Sequence, residues 1–259
     1  MPSFTPQNHE SLHLVDVCDN RISTRQTIPD LARYFSLLPA AGVGARMAAD
    51  CPKQYLPLAG RPMLWHAIQA FERAAAITRT YVVLAPDDDH WDRYDWSALT
   101  KLVVLRCGGN SRAASVANGL RAIAGQVADA DWLLVHDAAR PCLSGTLLDK
   151  LITELAADEV GGILAVPVAD TLKRQTPAGR IQETVAREGM WAAQTPQMFR
   201  YGLLRRALEQ AGNQVTDESS AVEALGLSPK LVASDMSNLK ITYAGDLDLA
   251  EWWLTHKAG

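Results

Sequence analysis

A chain of 259 residues with 48% hydrophobic content is long enough to bury one large α/β core, and its formal net charge of −4 gives no reason to expect nonspecific nucleic-acid binding. No apolar run reaches the length of a membrane helix, and the N-terminus lacks the continuous apolar core of a secretory signal, which argues against membrane insertion and export. Cys18, Cys51, Cys107 and Cys142 form neither a CxxC pair nor a zinc spacing, a usage that fits a reducing cytoplasm better than a disulfide framework.

Residues 1–33 are mixed polar and charged with no sustained periodicity and read as a mobile extension before a domain over 34–259. The apolar run Phe35 to Pro39 reads as a buried strand leaving a sheet. Ala40, Ala41, Gly42 and Gly44 follow, so the backbone there can approach a ligand and aim N–H groups at it. Arg46 and Lys53 come next. Glycine amides beside a guanidinium and an ammonium suit several adjacent negative charges, of which a triphosphate is the commonest small-molecule example. The loop is not a P-loop, because no Gly-Lys-Ser/Thr ends it. Met47 stands where a dinucleotide fingerprint has its third glycine, which disfavours a dehydrogenase. Taken alone, the same residues also read as a surface loop with two solvated cations.

Pro62 opens an amphipathic helix with Leu64, Ala67, Ile68, Phe71 and Ala75 on one face. Strand signals follow at Tyr81 to Ala85 and Leu102 to Leu105, on either side of an acidic loop, Asp87 to Asp92. Alternating strand and helix signals predict a mainly parallel sheet covered on both faces, with ligands beyond the carboxyl ends of the strands. The next loop carries Gly108, Gly109, Arg112 and Ser115 at a helix start, suited to polar base edges or phosphate; Ser115 by itself reads as a helix cap. Trp132 to Val135 is a fourth strand running into His136-Asp137-Ala138-Ala139-Arg140-Pro141. Asp137 is placed to meet Mg²⁺ or a sugar hydroxyl, with the alanines leaving room, although Asp137 and Arg140 are equally placed to pair with each other.

Ser144 starts a helix, Gly162 to Val166 is a fifth strand, and Asp170 to Val185 reads as a protruding hairpin turning at Pro177-Ala178-Gly179. A hairpin rarely stands alone in water, so this one is expected to dock on a partner chain. Arg187 and Gln194-Thr195-Pro196-Gln197 lead back to the body. Helices from Tyr201 and over residues 217–225, a short strand near Leu231 and a last helix from Asp246 to Leu254 complete the chain.

The motifs PAAGVGARM, PKQY, GGNSRAASV, HDAARP, DTLKR, WAAQTPQMF, TDESSAVE and NLKIT, in this order, closely resemble the 2-C-methyl-D-erythritol 4-phosphate cytidylyltransferases of the non-mevalonate isoprenoid pathway, over about Phe35 to Leu254. The resemblance implies a mixed, mostly parallel seven-stranded sheet with helices on both faces, of the Rossmann-like nucleotidyltransferase kind. It also implies a homodimer joined by the hairpin arm at about 169–190, and CTP and Mg²⁺ as co-substrate and cofactor. By the resemblance, Ala40, Ala41, Gly42, Gly44, Arg46 and Lys53 hold the triphosphate. Gly109, Arg112 and Ser115 read the cytosine and support the nucleotide, and Asp137, Ala138 and Arg140 line the ribose and polyol side. Thr171, Arg187, Thr195 and Lys240 bind the methylerythritol phosphate, Thr171 and Arg187 from the arm into the partner's site. Asp137 is the candidate metal ligand. Asp235 lies near the family's acidic position before the NLKIT lysine, but Ser237 intervenes. The chain stops soon after Leu254, which predicts no fused cyclase domain.

The chemistry asked of these residues is coherent. A phosphate monoester is largely dianionic near neutral pH and needs no general base to attack the α-phosphorus of CTP, so His136 is expected to be a structural partner of its loop. Fixed cations, Arg46 and Lys53 above all, are expected to stabilise the phosphoryl oxygens in flight. The rival readings are a ribitol-phosphate cytidylyltransferase, differing at the acceptor pocket, and a non-catalytic nucleotide sensor, which has no reason to keep both Arg46 and Lys53.

Overall fold

The computed structural model describes residues 32–42, 51–212 and 215–256. Gly44 and Arg46 of the triphosphate loop, and the extension up to residue 31, lie outside these. The unit that carries the site begins at Ala32. Arg33, read from the sequence as the end of the extension, is part of it: its backbone N–H and its guanidinium both donate to the carboxylate of Asp131, at 2.9 and 2.7 Å.

Strand β1 (Tyr34–Pro39) sits near the centre of a seven-stranded sheet. A short 3-10 turn (Lys53–Tyr55) and a two-strand ribbon, β2 (Pro57–Leu58) with β3 (Arg61–Pro62), lead into helix α1 (Met63–Arg73). There follow β4 (Ile77–Val83), β5 (Leu102–Leu105), α2 (Arg112–Ala122), β6 (Trp132–Val135), α3 (Gly145–Leu155) and β7 (Gly161–Pro167). The hairpin is β8 (Leu172–Gln175) with β9 (Ile181–Val185), and the chain ends through β10 (Trp191–Arg200), α4 (Tyr201–Ala211), α5 (Glu218–Glu223), β11 (Lys230–Ala233) and α6 (Gly245–His256). The strand order is β11-β7-β10-β6-β1-β4-β5, and β10 runs antiparallel to both of its neighbours while the remaining pairings are parallel.

Both faces of the sheet are covered, which is why its strands are apolar without alternation. On β6, Trp132 and Leu134 face the layer of α1 and α3, where they meet Phe71, Leu148 and Leu151. Leu133 and Val135 face α2, α4 and α5, meeting Val116, Leu120, Leu204 and Val222. Helix α6 closes one end through Ala250, Trp253 and Leu254, packed with Leu58, Met63, Cys142 and Ile241. Trp253 and Leu254 are thus packing residues.

Two elements differ from the sequence expectation. The second expected strand, Tyr81 to Ala85, begins earlier as β4, because exposed Thr78 and Arg79 mask its first half. Strand β10 replaces the plain connection that the sequence predicts there. Its centre holds Gln194, Thr195, Pro196 and Gln197, yet the Gln and Thr side chains are buried, so a polar segment lies inside the sheet. Its pairing with β7 breaks between Ala193 and Gln197, where Pro196 sits, a place in a sheet where proline is tolerated. Among the described residues, no helix is long and apolar enough to cross a membrane.

Candidate active site

The carboxyl ends of β1, β5 and β6 open onto one cavity of about 590 Å³, lined by Ala41, Gly42, Gly109, Arg112, Asp137 and Lys240 among others. A crevice beyond the carboxyl ends of parallel strands is where this kind of sheet binds ligands. The two glycine loops touch there. A β-carbon on Gly108 would collide with the side chain of Ala41 and lie 2.8 Å from the Leu84 carbonyl oxygen, so the close approach of the two loops requires glycine.

Ser111, not Ser115, caps α2, its side chain accepting the Ala114 N–H at 3.1 Å. Ser115 lies one turn further in, where its hydroxyl accepts the Gly109 N–H at 3.1 Å and donates to the Ser111 carbonyl at 2.9 Å. Asn118 donates to the Cys107 carbonyl at 2.7 Å. Helix α2 therefore holds the glycine loop by its own first turns.

A chain of four charged groups leads from buried Glu218 to the cavity-lining residues Arg112, Asp137 and Lys240. Glu218 accepts from both terminal nitrogens of Arg112, at 2.8 and 2.9 Å. The Nε of Arg112 donates to one oxygen of Asp137 at 2.7 Å, and Lys240 Nζ lies 2.7 Å from the other. Two cations and two anions leave the group neutral. Burial raises the Asp137 pKa, but Arg112 and Lys240 outweigh it and hold the carboxyl far below the usual range. Burial also works against the Arg112 charge, and Glu218 and Asp137 more than restore it.

The loop behind Asp137 is built on His136. Its Nε2 lies 3.0 Å from the Arg140 carbonyl, which can only accept, so Nε2 carries the proton. Nδ1 then accepts from the Thr195 hydroxyl at 3.0 Å, and that oxygen accepts the Asp137 N–H at 3.0 Å. Burial depresses the His136 pKa from 6.5 to about 4. The imidazole is neutral and committed at both nitrogens, which matches its expected structural role. Stability follows from this with a definite sign: between pH 6.5 and about 4 the unfolded chain takes up a proton that the folded chain refuses. Folding stability is expected to fall as pH drops through that window, by about 3 kcal/mol over the whole of it. Urea unfolding from pH 7 to 4.5 measures the loss. His136→Gln is expected to flatten the slope, and an unchanged slope refutes the assignment.

The structure brings together Ala41, Gly42, Gly109, Arg112, Ser115, Asp137, Ala138 and Lys240 around the cavity. Ala40 lies beneath it, its carbonyl accepting Gln54 Nε2 at 2.7 Å. Lys53 is anchored in the same turn as Gln54 and Tyr55, and the Tyr55 hydroxyl donates to Asp88 at 2.8 Å. Thr195 and Arg140, expected to touch substrate, are buried and are not among the residues lining this cavity. The Arg140 guanidinium is buried and donates to the Asn238 carbonyl at 2.6 Å and more loosely to that of Ala193 at 3.4 Å, which positions the segment carrying Lys240. The alternative of an Asp137–Arg140 pair gives way to Asp137 pairing with Arg112 and Lys240. Thr171 and Arg187 are exposed on the hairpin and its return, and are not among the residues lining this cavity.

The residue that the sequence reading missed is Glu218. Its position just after the cap Asp217 marks it as a first-turn acid complementing a helix dipole, and that local signal hides its pairing with Arg112, 106 residues away.

A model of the 2-C-methyl-D-erythritol 4-phosphate cytidylyltransferase family matches residues 35–256. The chain belongs to that family. It is 59% identical over 221 residues to the 2-C-methyl-D-erythritol 4-phosphate cytidylyltransferase of Dechloromonas aromatica (strain RCB), covering 85% of this chain and 96% of the relative. It is 57% identical over 228 residues to that of Azoarcus sp. (strain BH72), covering 88% and 96%. The fold agrees with the crystal structure of a 4-diphosphocytidyl-2C-methyl-D-erythritol synthase at a TM-score of 0.77 and 43% identity, over 86% of this chain and 98% of the other. The cytidylyltransferase from Francisella tularensis superposes at 0.75 with 34% identity, over 86% and 100%.

The family's mixed seven-stranded sheet is the one described here, and the cytidylyltransferase motifs converge on its cavity. A protein-built metal centre does not fit the described residues. Both Asp137 oxygens already face cations, Asp235 turns its carboxylate onto Ser237, and no three His, Cys, Asp or Glu side chains among the described residues cluster to hold an ion.

Proposed function

We propose that this chain transfers the cytidylyl group of CTP to 2-C-methyl-D-erythritol 4-phosphate in the non-mevalonate isoprenoid pathway. The observation that carries the reading is the convergence of two glycine loops, Arg112, Asp137 and Lys240 on one cavity at the carboxyl ends of the strands. An oxygen of the acceptor phosphate attacks the α-phosphorus, the bond from that phosphorus to the bridging oxygen of the β-phosphate breaks, and pyrophosphate leaves. The product is 4-diphosphocytidyl-2-C-methyl-D-erythritol.

In this reading Ala40, Ala41, Gly42 and Gly44 bind the triphosphate, and Arg46 and Lys53 offset the charge on its oxygens. Gly109, Arg112 and Ser115 shape the base end. Asp137, held ionised by Arg112 and Lys240, orients hydroxyls of the ribose, and Lys240 turns from Asp137 to the acceptor phosphate. Mg²⁺ is proposed as the cofactor and would offset part of the triphosphate's charge; the described residues supply no cage of side chains for it. The attacking phosphate is already ionised, which leaves neutral His136 with no proton to take.

The arm is proposed to join two copies. Its Ile181 is 68% exposed, and Met190 and Trp191 at its foot are 45% and 37% exposed, an apolar surface that a second chain would cover. Thr171 and Arg187 would then serve the partner's cavity. Mixing an Arg187→Ala chain with a Lys53→Met chain is expected to restore part of the activity, because a heterodimer keeps one intact site. Activity no higher than either parent, in mixtures shown by mass to exchange subunits, contradicts the cross-subunit role.

The function itself is tested by pyrophosphate release with CTP, offering 2-C-methyl-D-erythritol 4-phosphate and ribitol 5-phosphate in parallel. Turnover is expected with the first. Preference for ribitol phosphate overturns the acceptor, and no release with either favours a nucleotide-sensing protein.

A further inference from the structure

Arginine normally grips a carboxylate with two parallel N–H bonds, because the planar fork matches the two oxygens. Arg112 does this with Glu218 and not with Asp137, which it touches through Nε alone. Glu218 is 1% exposed, so its carboxylate is compensated inside the protein or not at all. It is also held from behind: it follows the cap Asp217, whose carboxylate accepts Gln197 Nε2 at 2.8 Å, while the adjacent Ser219 N–H donates to Gln197 at 2.8 Å. Helix α5 is thereby tied to β10 and presents Glu218 at a set place.

From this geometry we infer that Glu218 is a positioning residue for the nucleotide site: it occupies the fork of Arg112 and so keeps the second oxygen of Asp137 available to Lys240 and then to substrate. The inference rests on the cytidylyltransferase reading for its kinetic consequences, but not for its structural one. Without the Glu218 carboxylate the fork of Arg112 faces at most a neutral acceptor, and Asp137 is the carboxylate within its reach. Arg112 then turns to hold both Asp137 oxygens, withdraws from the cavity wall and displaces Lys240. Lys240, whose side chain is 47% exposed, keeps its charge in solvent and remains able to meet an acceptor phosphate.

The test is Glu218→Gln, which removes the charge without stranding one, since Arg112 retains Asp137. The KM for CTP is expected to rise by about 10- to 100-fold, the range for displacement of a substrate-positioning group. The KM for 2-C-methyl-D-erythritol 4-phosphate is expected to change by less than about threefold. Glu218→Asp, which keeps the charge but is shorter by one methylene, is expected to fall between wild type and Glu218→Gln. A crystal structure of Glu218→Gln is expected to show Arg112 holding both oxygens of Asp137. If the two KM values move together, or Arg112 keeps its single contact in that structure, Glu218 does not act this way. Absence of turnover in the wild type would instead count against the cytidylyltransferase reading, and the variant's structure would still decide the positioning claim.

Discussion

Replacing Lys53 by methionine is expected to lower turnover at saturating CTP and acceptor by about 10²- to 10³-fold, the loss typical of one fixed electrostatic donor to a transition state. The expectation has two parts. Charge builds on the phosphoryl oxygens as the bond to pyrophosphate lengthens, so a fixed cation stabilises the transition state more than bound substrate. The turn that carries Lys53 is itself rigidly held, by Gln54 on the Ala40 carbonyl and by the Tyr55 hydroxyl on Asp88. Tyr55 also stacks on Tyr94 with ring centroids 5.7 Å apart. The loss should therefore appear in kcat more than in either KM. Initial rates with both substrates varied, alongside thermal unfolding of the variant, separate this from general damage. A correctly folded Lys53→Met enzyme within about threefold of wild type would remove Lys53 from the mechanism.

Arg112→Leu is expected to cost about 3–5 kcal/mol of folding stability, the range for breaking a buried ion pair by deleting one partner. Glu218 is almost wholly buried, and the deletion strands its carboxylate without a countercharge. For a chain of this size the loss corresponds to a fall in melting temperature of roughly 6–20 °C. Adding Glu218→Leu to the same chain should recover most of it, because the stranded charge, rather than the missing contact, dominates the penalty. Urea unfolding of the two single variants and the double variant gives the coupling directly. If the double variant is as unstable as Arg112→Leu alone, desolvation of Glu218 is not the cause.

The regular elements were legible because their signals are local. The stripe Leu64, Ala67, Ile68 and Phe71 becomes the buried face of α1, although Ala75, expected on the same face, lies exposed beyond its end, and Leu102 to Leu105 and Trp132 to Val135 are strands with the expected bounds. The hairpin turning at Pro177-Ala178-Gly179 is present as β8 and β9. Strand β10 was not legible because its buried Gln194, Thr195 and Gln197 satisfy themselves through distant partners. Gln194 donates to the Asp235 carbonyl and accepts from Ser234 and Asn238, and such bonds leave no trace in hydrophobic periodicity.

The site divides in the same way. The ordered motifs carry enough chemistry to identify the family and to bring Ala41, Gly42, Gly109, Arg112, Asp137 and Lys240 forward as cavity residues, since strand-end loops in a parallel sheet converge. Sequence alone thus determined the fold class, the family and the inventory of charged groups. Only the tertiary structure decided how those charges are shared: Arg112 between Glu218 and Asp137, Asp137 between Arg112 and Lys240, and Arg140 on the backbone carbonyls of Asn238 and Ala193. The reason is that a buried ion pair depends on distance and desolvation between residues as far apart in the chain as Arg112 and Glu218, and neither quantity has a local pattern to read.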